Sequence, residues 1–424
     1  MDLVREDTEP IALVAKPQSR FTTFGGGVFC SLQFRDFRLL WTGLIFSFVG
    51  FSIQQISLNW LVYSMTRDPF YLSLMNAANN LPMLALSLFG GAMADRIDKR
   101  RLLMVCRGIL LTLIALLAVL VITKQVAIWQ MMLIAGTMGI VWSFDLPTRQ
   151  ALVVSLVPKE NLMNALALNS AVMSSTQIAG PALAGVLVGL IDVGGCFLVA
   201  SVLYFGLIIA IYAMHPPKAA PKSKSSSVLQ DMVEGLKYIR HDETLTILLI
   251  AFAMVGMFGM TYSILMPAFA GSVLKTEASG YAMLMSASAI GALIGAMTMA
   301  RLSNFERKGT LLLITSLSAS TGLAVFAFTS WLPISMAVLV IVGATMSSTN
   351  TTITTLTLTR SDAQYHGRLM SVNQVCWGMS PVGGMLLGSL ASRFGTPWGI
   401  GTGAVTMGLF MGWMFASRRH FLRL

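Results

Sequence analysis

The sequence predicts an all-α membrane protein whose twelve transmembrane helices form two pseudo-symmetric six-helix bundles, and three observations carry that prediction. The first is composition: 55% of the 424 residues are hydrophobic, 11% are charged and the mean hydropathy is +0.73. A soluble fold cannot bury that much apolar surface. The second is a series of twelve apolar stretches of about 20 residues, the length that crosses a hydrocarbon core. The third is internal repetition. Gly91-Ala92-Met93-Ala94 returns as Gly295-Ala296-Met297-Thr298, and the same offset of 204 residues carries Asn169 onto Asn373 and Gly180 onto Gly384. One register shared by three landmarks is the trace of two parallel six-helix repeats.

Taken in order, residues 1–35 carry charges on both sides of a short apolar patch and no cleavable secretory pattern, so they read as a cytoplasmic N-terminal arm. The first bundle, 36–214, holds spans at 39–63, 70–93, 102–123, 127–149, 163–190 and 195–214. Residues 215–243 form a cytoplasmic linker rich in Pro, Lys and Ser; within it Val228, Met232, Leu236 and Ile239 share one face of a short helix suited to the membrane interface. The second bundle, 244–417, holds spans at 245–268, 278–300, 310–330, 332–357, 370–392 and 396–417, and 418–424 is a basic tail.

Charge fixes the orientation. With both termini cytoplasmic, the inner segments hold 25 of the 29 Lys and Arg, leaving Arg67, Lys124, Lys275 and Arg393 outside. The net charge of +11 is then a topological signal and an attraction to anionic inner-leaflet lipid, and no aromatic-interleaved basic patch calls for nucleic acid. Cys30, Cys106, Cys196 and Cys376 lack paired spacing and read as packing residues; the four histidines fall in loops or the tail. No nucleotide fingerprint, cofactor motif, metal-ligand set or catalytic constellation is present, which argues against a membrane enzyme.

Polarity inside the spans points to mechanism. Asp145 is the sole acidic residue within a predicted span; it stands one turn before Arg149, so the two are placed to pair, and it is the candidate for proton coupling. Arg107 reads as a snorkelling or phosphate-contacting arginine near the cytoplasmic face. Gln55 and Asn59 share a face of helix 1, Asn76 and Asn80 a face of helix 2, and Gln177 falls near the centre of helix 5. Phe258 and Tyr262 form a stripe on helix 7; Ser347, Asn350, Thr351 and Thr354 share a face of helix 10; Asn373 and Trp377 align on helix 11. These residues are the candidate lining of a substrate cavity. Gly180, Pro181 and Gly185 on helix 5, with Pro381 and Gly384 on helix 11, let backbones approach and bend.

The stretch Gly90-Gly91-Ala92-Met93-Ala94-Asp95-Arg96-Ile97-Asp98-Lys99-Arg100-Arg101 resembles the clasp between helices 2 and 3 of the major facilitator superfamily, with Asp98 where the family has a second glycine. Further likeness lies in Phe34 to Trp41, in Asp145-x-Pro147-x-Arg149 followed by Val157 to Leu162, and in Gly367-Arg368-Leu369-Met370. Together these resemble the superfamily branch of bacterial siderophore and drug exporters over residues 35–417. The resemblance implies a bacterial inner-membrane secondary transporter that rocks one bundle against the other. It implies that Asp145 contacts Lys99 and Arg100 and latches the outward-open state, and that Asp95 faces the start of helix 11, with Gly91, Arg96 and Arg149 completing the clasp. Gly180-Pro181-x-x-x-Gly185 resembles part of the exporters' helix-5 motif. The implied activity is export of an amphipathic small molecule in exchange for protons by a monomer in contact with membrane lipid. Import of a nutrient and translocation of a lipid or lysolipid share this fold.

Overall fold

The structure, a computed structural model, describes residues 27, 29–215, 240, 242–302, 305, 307–362 and 365–418; for 87–96, 367, 368, 371, 374 and 377 it describes the backbone alone. The amphipathic helix expected at 228–239, most of the N-terminal arm and nearly all of the tail therefore lie outside the described residues. What is described is helical throughout, as a chain in lipid requires, because a helix satisfies every backbone group within its own segment.

Twelve helices are formed among the described residues. They are α1 (Arg35–Thr66), α2 (Pro69–Arg96), α3 (Lys99–Ile122) and α4 (Ile128–Leu156). The run Leu162–Ala213 supplies α5 (162–191) and α6 (193–213), divided at Asp192, where φ is 57° and ψ 175°. Then come α7 (Glu243–Val273), α8 (Ala278–Arg301), α9 (Lys308–Ala327), α10 (Leu332–Arg360), α11 (366–394) and α12 (Thr396–Ser417). Each predicted span falls on one of them. Two helices are irregular: α7 contains π turns at Val255–Gly259 and Phe269–Val273, and α11 is broken between Trp377 and Ser380.

An even number of helices leaves the described chain ends on one side, the near end. At the far end five of the six hairpin turns use a positive-φ residue, Arg67, Lys124, Asp192, Lys275 and Gly395. At the near end α3 begins on an N-cap: the Asp98 carboxylate accepts from the Arg101 backbone N–H at 3.0 Å. That cap explains why an aspartate serves where a glycine was the family pattern, since φ at Asp98 is −56° and needs no glycine.

The two halves repeat the same packing. α2 lies along α4 and α8 along α10; α3 packs on the 162–213 run and α9 on α12. Both close pairs depend on a glycine. A Cβ on Gly139 would collide with the Asn79 carbonyl, and one on Gly343 with the Ser288 carbonyl. Gly139 and Gly343 are again 204 positions apart, so the packing follows the register of the sequence repeat.

Candidate functional site

A polar cluster is buried inside the first half where α1, α3 and α4 converge. The Arg107 guanidinium donates to Asp145 Oδ2 at 2.6 Å, both side chains being 0% exposed. It also donates to Ser47 Oγ at 2.7 Å and lies over the rings of Trp142 and Tyr204 at 5.2 and 5.9 Å. Tyr204 O–H donates to Gln54 Oε1 at 2.9 Å, and Gln54 reaches Met138 Sδ at 3.3 Å. The cluster thus runs as a polar file from α4 through α3 and α1 to α6.

This geometry corrects two expectations. Asp145 pairs with Arg107, not with Arg149, Lys99 or Arg100, and Arg107 is wholly buried where a snorkelling arginine was expected. The reason lies in helix azimuth. Arg107 sits two turns inside α3, but its side chain points between helices, where a carboxylate is available to offset the cost of burial. Lys99 Nζ instead donates to the Ala151 carbonyl on α4 at 3.5 Å, and Arg100 donates to the Ile211 and Tyr212 carbonyls at the end of α6 at 3.0 and 2.5 Å. Arg100 thus meets the negative end of a helix, while Lys99 reaches a carbonyl more than a turn before the end of α4. Gly91, Asp95 and Arg96 fall on the last turn and a half of α2; their side chains lie outside the described residues.

The cavity candidates separate into groups. Asn59 Nδ2 donates to Tyr281 O–H at 3.4 Å, joining α1 of one half to α8 of the other. Asn80 donates to the Asn76 carbonyl at 3.1 Å, while Asn76 Oδ1 has no partner among the described residues. Gln55, Phe258 and Asn350 are partly exposed and Gln177 is exposed. Tyr262 O–H is tied to Ser288 Oγ at 2.7 Å within the second half, so it joins α7 to α8. Asn373 is 5% exposed, and neither of its amide atoms has a hydrogen-bond partner among the described residues. The Trp377 side chain lies outside the described residues. Sequence reasoning chose Gln55 and passed over Gln54, which is the buried one; neighbours on a helix point about 100° apart, and apolar flanks gave no phase.

The helix 5 and helix 11 glycines act as approach points. Gly180 faces Ser52, Gly185 faces Ala282 across the halves, and Gly384 faces Ile264. Pro181 lies inside α5, where the chain stays helical, whereas Pro381 opens the second segment of α11 just after its break. Further cross-half contacts place the Tyr63 ring against Gly271 and Ser73 against Gly388. All of these cross-half contacts involve the far-end halves of their helices, and the inner segment of α11, His366–Trp377, packs on α7 and α10 of its own half.

Two six-helix halves related by a sequence repeat, meeting through α1, α2, α5, α7, α8 and α11, define a transporter of the major facilitator superfamily. Among similar solved structures is a bacterial homologue of the human lysosomal transporter Spinster in an inward-facing, unoccupied conformation, with TM-score 0.73, 14% identity and coverage of 91% of this chain and 97% of that one. The nucleoside transporter NupG superposes with TM-score 0.72 at 12% identity, covering 91% of this chain and all of that one. These likenesses speak to fold. The profile of the transmembrane secretion effector family matches residues 26–421, and the chain belongs to that family. Similar proteins are the staphyloferrin A transporter of Staphylococcus aureus, 24% identical over 89% of this chain and 95% of that protein, and the multidrug efflux pump Tap of Mycolicibacterium fortuitum, 23% identical over 82% and 87%. The enterobactin exporter EntS of Escherichia coli is 23% identical over 68% of this chain and 69% of its own. The chain is therefore a multi-pass membrane transporter of a small molecule and not an enzyme.

Proposed function

We propose that this protein exports a bulky amphipathic small molecule from the bacterial cytoplasm across the inner membrane, rocking 36–214 against 244–417 and drawing on the proton gradient. The observation that carries this reading is the seal at the far end. Asn59 with Tyr281, Tyr63 with Gly271, and Ser73 with Gly388 hold the halves together there; Gly378 meets Leu84 near the midpoint, and His366–Trp377 packs on α7 and α10 of its own half. With the near end cytoplasmic, as the distribution of Lys and Arg supports, this is an inward-open state ready to take substrate from inside. The names of the relatives, efflux pumps and siderophore transporters, support the outward direction.

Proton coupling is assigned to Asp145, which is the acidic group on the buried file and whose neutralisation would release Arg107 and Ser47 from a shared position. Uptake of a fluorescent amphiphile such as dansylaminoundecanoic acid into inverted membrane vesicles tests both parts. Accumulation that an uncoupler abolishes supports export with proton exchange, and Asp145→Asn should leave folded protein whose residual flux ignores the uncoupler. Accumulation in right-side-out vesicles instead would make the protein an importer.

One observation favours translocation of a lipid or lysolipid as a second reading. A groove of about 420 Å³ runs along the seam of α5 with α8 and α10, lined by Ala182, Val186, Met283, Ile290, Met336 and Val340 among others. It could take an acyl chain from the bilayer. Flipping of a labelled lysolipid in proteoliposomes, compared with dansylaminoundecanoic acid flux, separates the two substrates.

A further inference from the structure

The ion pair of Arg107 with Asp145 leaves one buried cation without a counter-ion of its own among the described residues. Arg149 is 3% exposed, and its Nε and Nη1 have no hydrogen-bond partner among the described residues. Its guanidinium lies over the Phe48 ring at 4.8 Å, a contact that offsets only part of the cost of burying a cation. Asp145 is one turn away on the same helix, but Arg107, Arg149 and Asp145 together still carry one net positive charge. Asp145 Oδ2 is taken by Arg107, and Oδ1 has no partner among the described residues.

The surroundings of Arg149 are unlike those of a structural arginine. Phe48 belongs to α1 and Arg149 to α4, and these two helices pack chiefly on other neighbours, α1 on the 162–213 run and α4 on α2 and α3. The guanidinium therefore stands buried where α1 meets α4, against one aromatic ring. A ligand reaching it would displace an edge of Phe48 and break no hydrogen bond at Nε or Nη1. Two unsatisfied N–H donors on a permanent cation, in surroundings of low dielectric, are what an oxyanion needs.

We infer that Arg149 is an anion-binding residue that receives the oxyanion head, carboxylate or phosphate, of the transported amphiphile. The inference rests on the amphiphile-transport reading above and adds the charge of the substrate to it. The neutral amides and methionines then serve the body of the molecule, while Arg149 selects the head. Charge closes as well as geometry, because a monoanion at this position brings the cluster of Arg107, Arg149 and Asp145 to neutrality.

The test is binding to the full-length protein in phosphatidylcholine nanodiscs, read by energy transfer from tryptophan to a dansyl group. The probes are dansylaminoundecanoic acid and its methyl ester, alike except for the charge of the head. The acid should bind about tenfold more tightly than the ester, a ratio typical of one charge-assisted contact. Arg149→Gln should bring the two affinities within about twofold while ester binding persists, which also shows that the variant is folded; Arg149→Lys should keep an intermediate preference. Equal affinities in the natural protein, or an acid preference that survives Arg149→Gln, would overturn the inference. Displacement of the acid but not the ester by millimolar inorganic phosphate would assign the site to a free anion and overturn it too. Binding does not depend on the direction of flux, so an intact acid preference with inward transport would sink the export reading alone.

Discussion

Arg107 and Asp145 meet at 2.6 Å with no exposed surface on either side chain, and through Ser47 the pair ties three helices of the first half at one point. A buried ion pair of this kind is costly to form and more costly to break, because removing one member strands the other in a medium that cannot solvate it. The partner separation in sequence, 38 residues, makes it a tertiary restraint on α3 against α4 and not a local helix pair.

Removal of the whole acceptor head, which the amide of Asp145→Asn in part preserves, should therefore destabilise the protein strongly. Asp145→Ala leaves Arg107 and Arg149 facing one another unpaired, and a loss of about 3–5 kcal/mol is expected. The double variant Arg107→Met with Asp145→Leu should recover much of it, since an apolar pair of similar volume fills the same space. Thermal unfolding of the purified proteins in detergent, arranged as a double-mutant cycle, measures the coupling. Additive losses from the two single variants would show that the pair is not the restraint described here.

The far-end seal makes a separate prediction. Tyr281→Phe removes the acceptor for Asn59 without changing the ring that fills the seam. A single interhelical hydrogen bond in a membrane is worth about 0.6 kcal/mol, which shifts a two-state population about threefold. Spin labels placed across the far end should record that shift toward the outward-open state. An unchanged distance distribution would mean that the glycine contacts, not this bond, hold the seal.

Much of the fold was legible from the residues themselves. Apolar length located all twelve helices, and the 204-residue register anticipated a packing equivalence that it had not used, Gly139 with Gly343. What escaped was everything decided by azimuth. Position along α3 gave the depth of Arg107 but not the direction of its side chain, and spacing along α4 offered Arg149 to Asp145 where the fold supplied Arg107. Gln54 and Gln55 are adjacent, and only the packing of α1 on α6 tells which one meets Tyr204. The first π turn of α7 carries no sequence signal beyond glycines common to any membrane helix, whereas Pro267, just before the second, marked a break that apolar length alone passed over.

Asp242 separates a cap from an ion pair. Its carboxylate accepts from the Thr244 and Leu245 N–H groups at 2.7 and 3.3 Å, and it also lies 3.5 Å from Arg360. The Arg360 side chain is 50% exposed, and such pairs contribute about 0–1 kcal/mol, whereas an N-cap is worth about 1 kcal/mol. Asp242→Asn should thus retain most of the stability that Asp242→Ala loses, and Arg360→Ala should change little. Unfolding midpoints of the three variants rank the two contributions; a larger effect from Arg360→Ala than from Asp242→Ala would reverse the assignment.

The repeated glycines give the most direct check of the two-fold architecture. Gly139→Ala forces a methyl group against the Asn79 carbonyl, and Gly343→Ala does the same against the Ser288 carbonyl, in each case backbone that can move only if α2 or α8 moves with it. Overpacking of this kind costs about 1–3 kcal/mol. Gly108 on α3 is the control, since a Cβ there meets nothing within 4 Å and alanine should gain about 0.5–1 kcal/mol of helix stability. Because the two close pairs occupy equivalent places in the halves, Gly139→Ala and Gly343→Ala should lower the melting temperature by similar amounts while Gly108→Ala leaves it unchanged or raised. A loss confined to one of the pair would mean that the halves pack by different rules despite their common register.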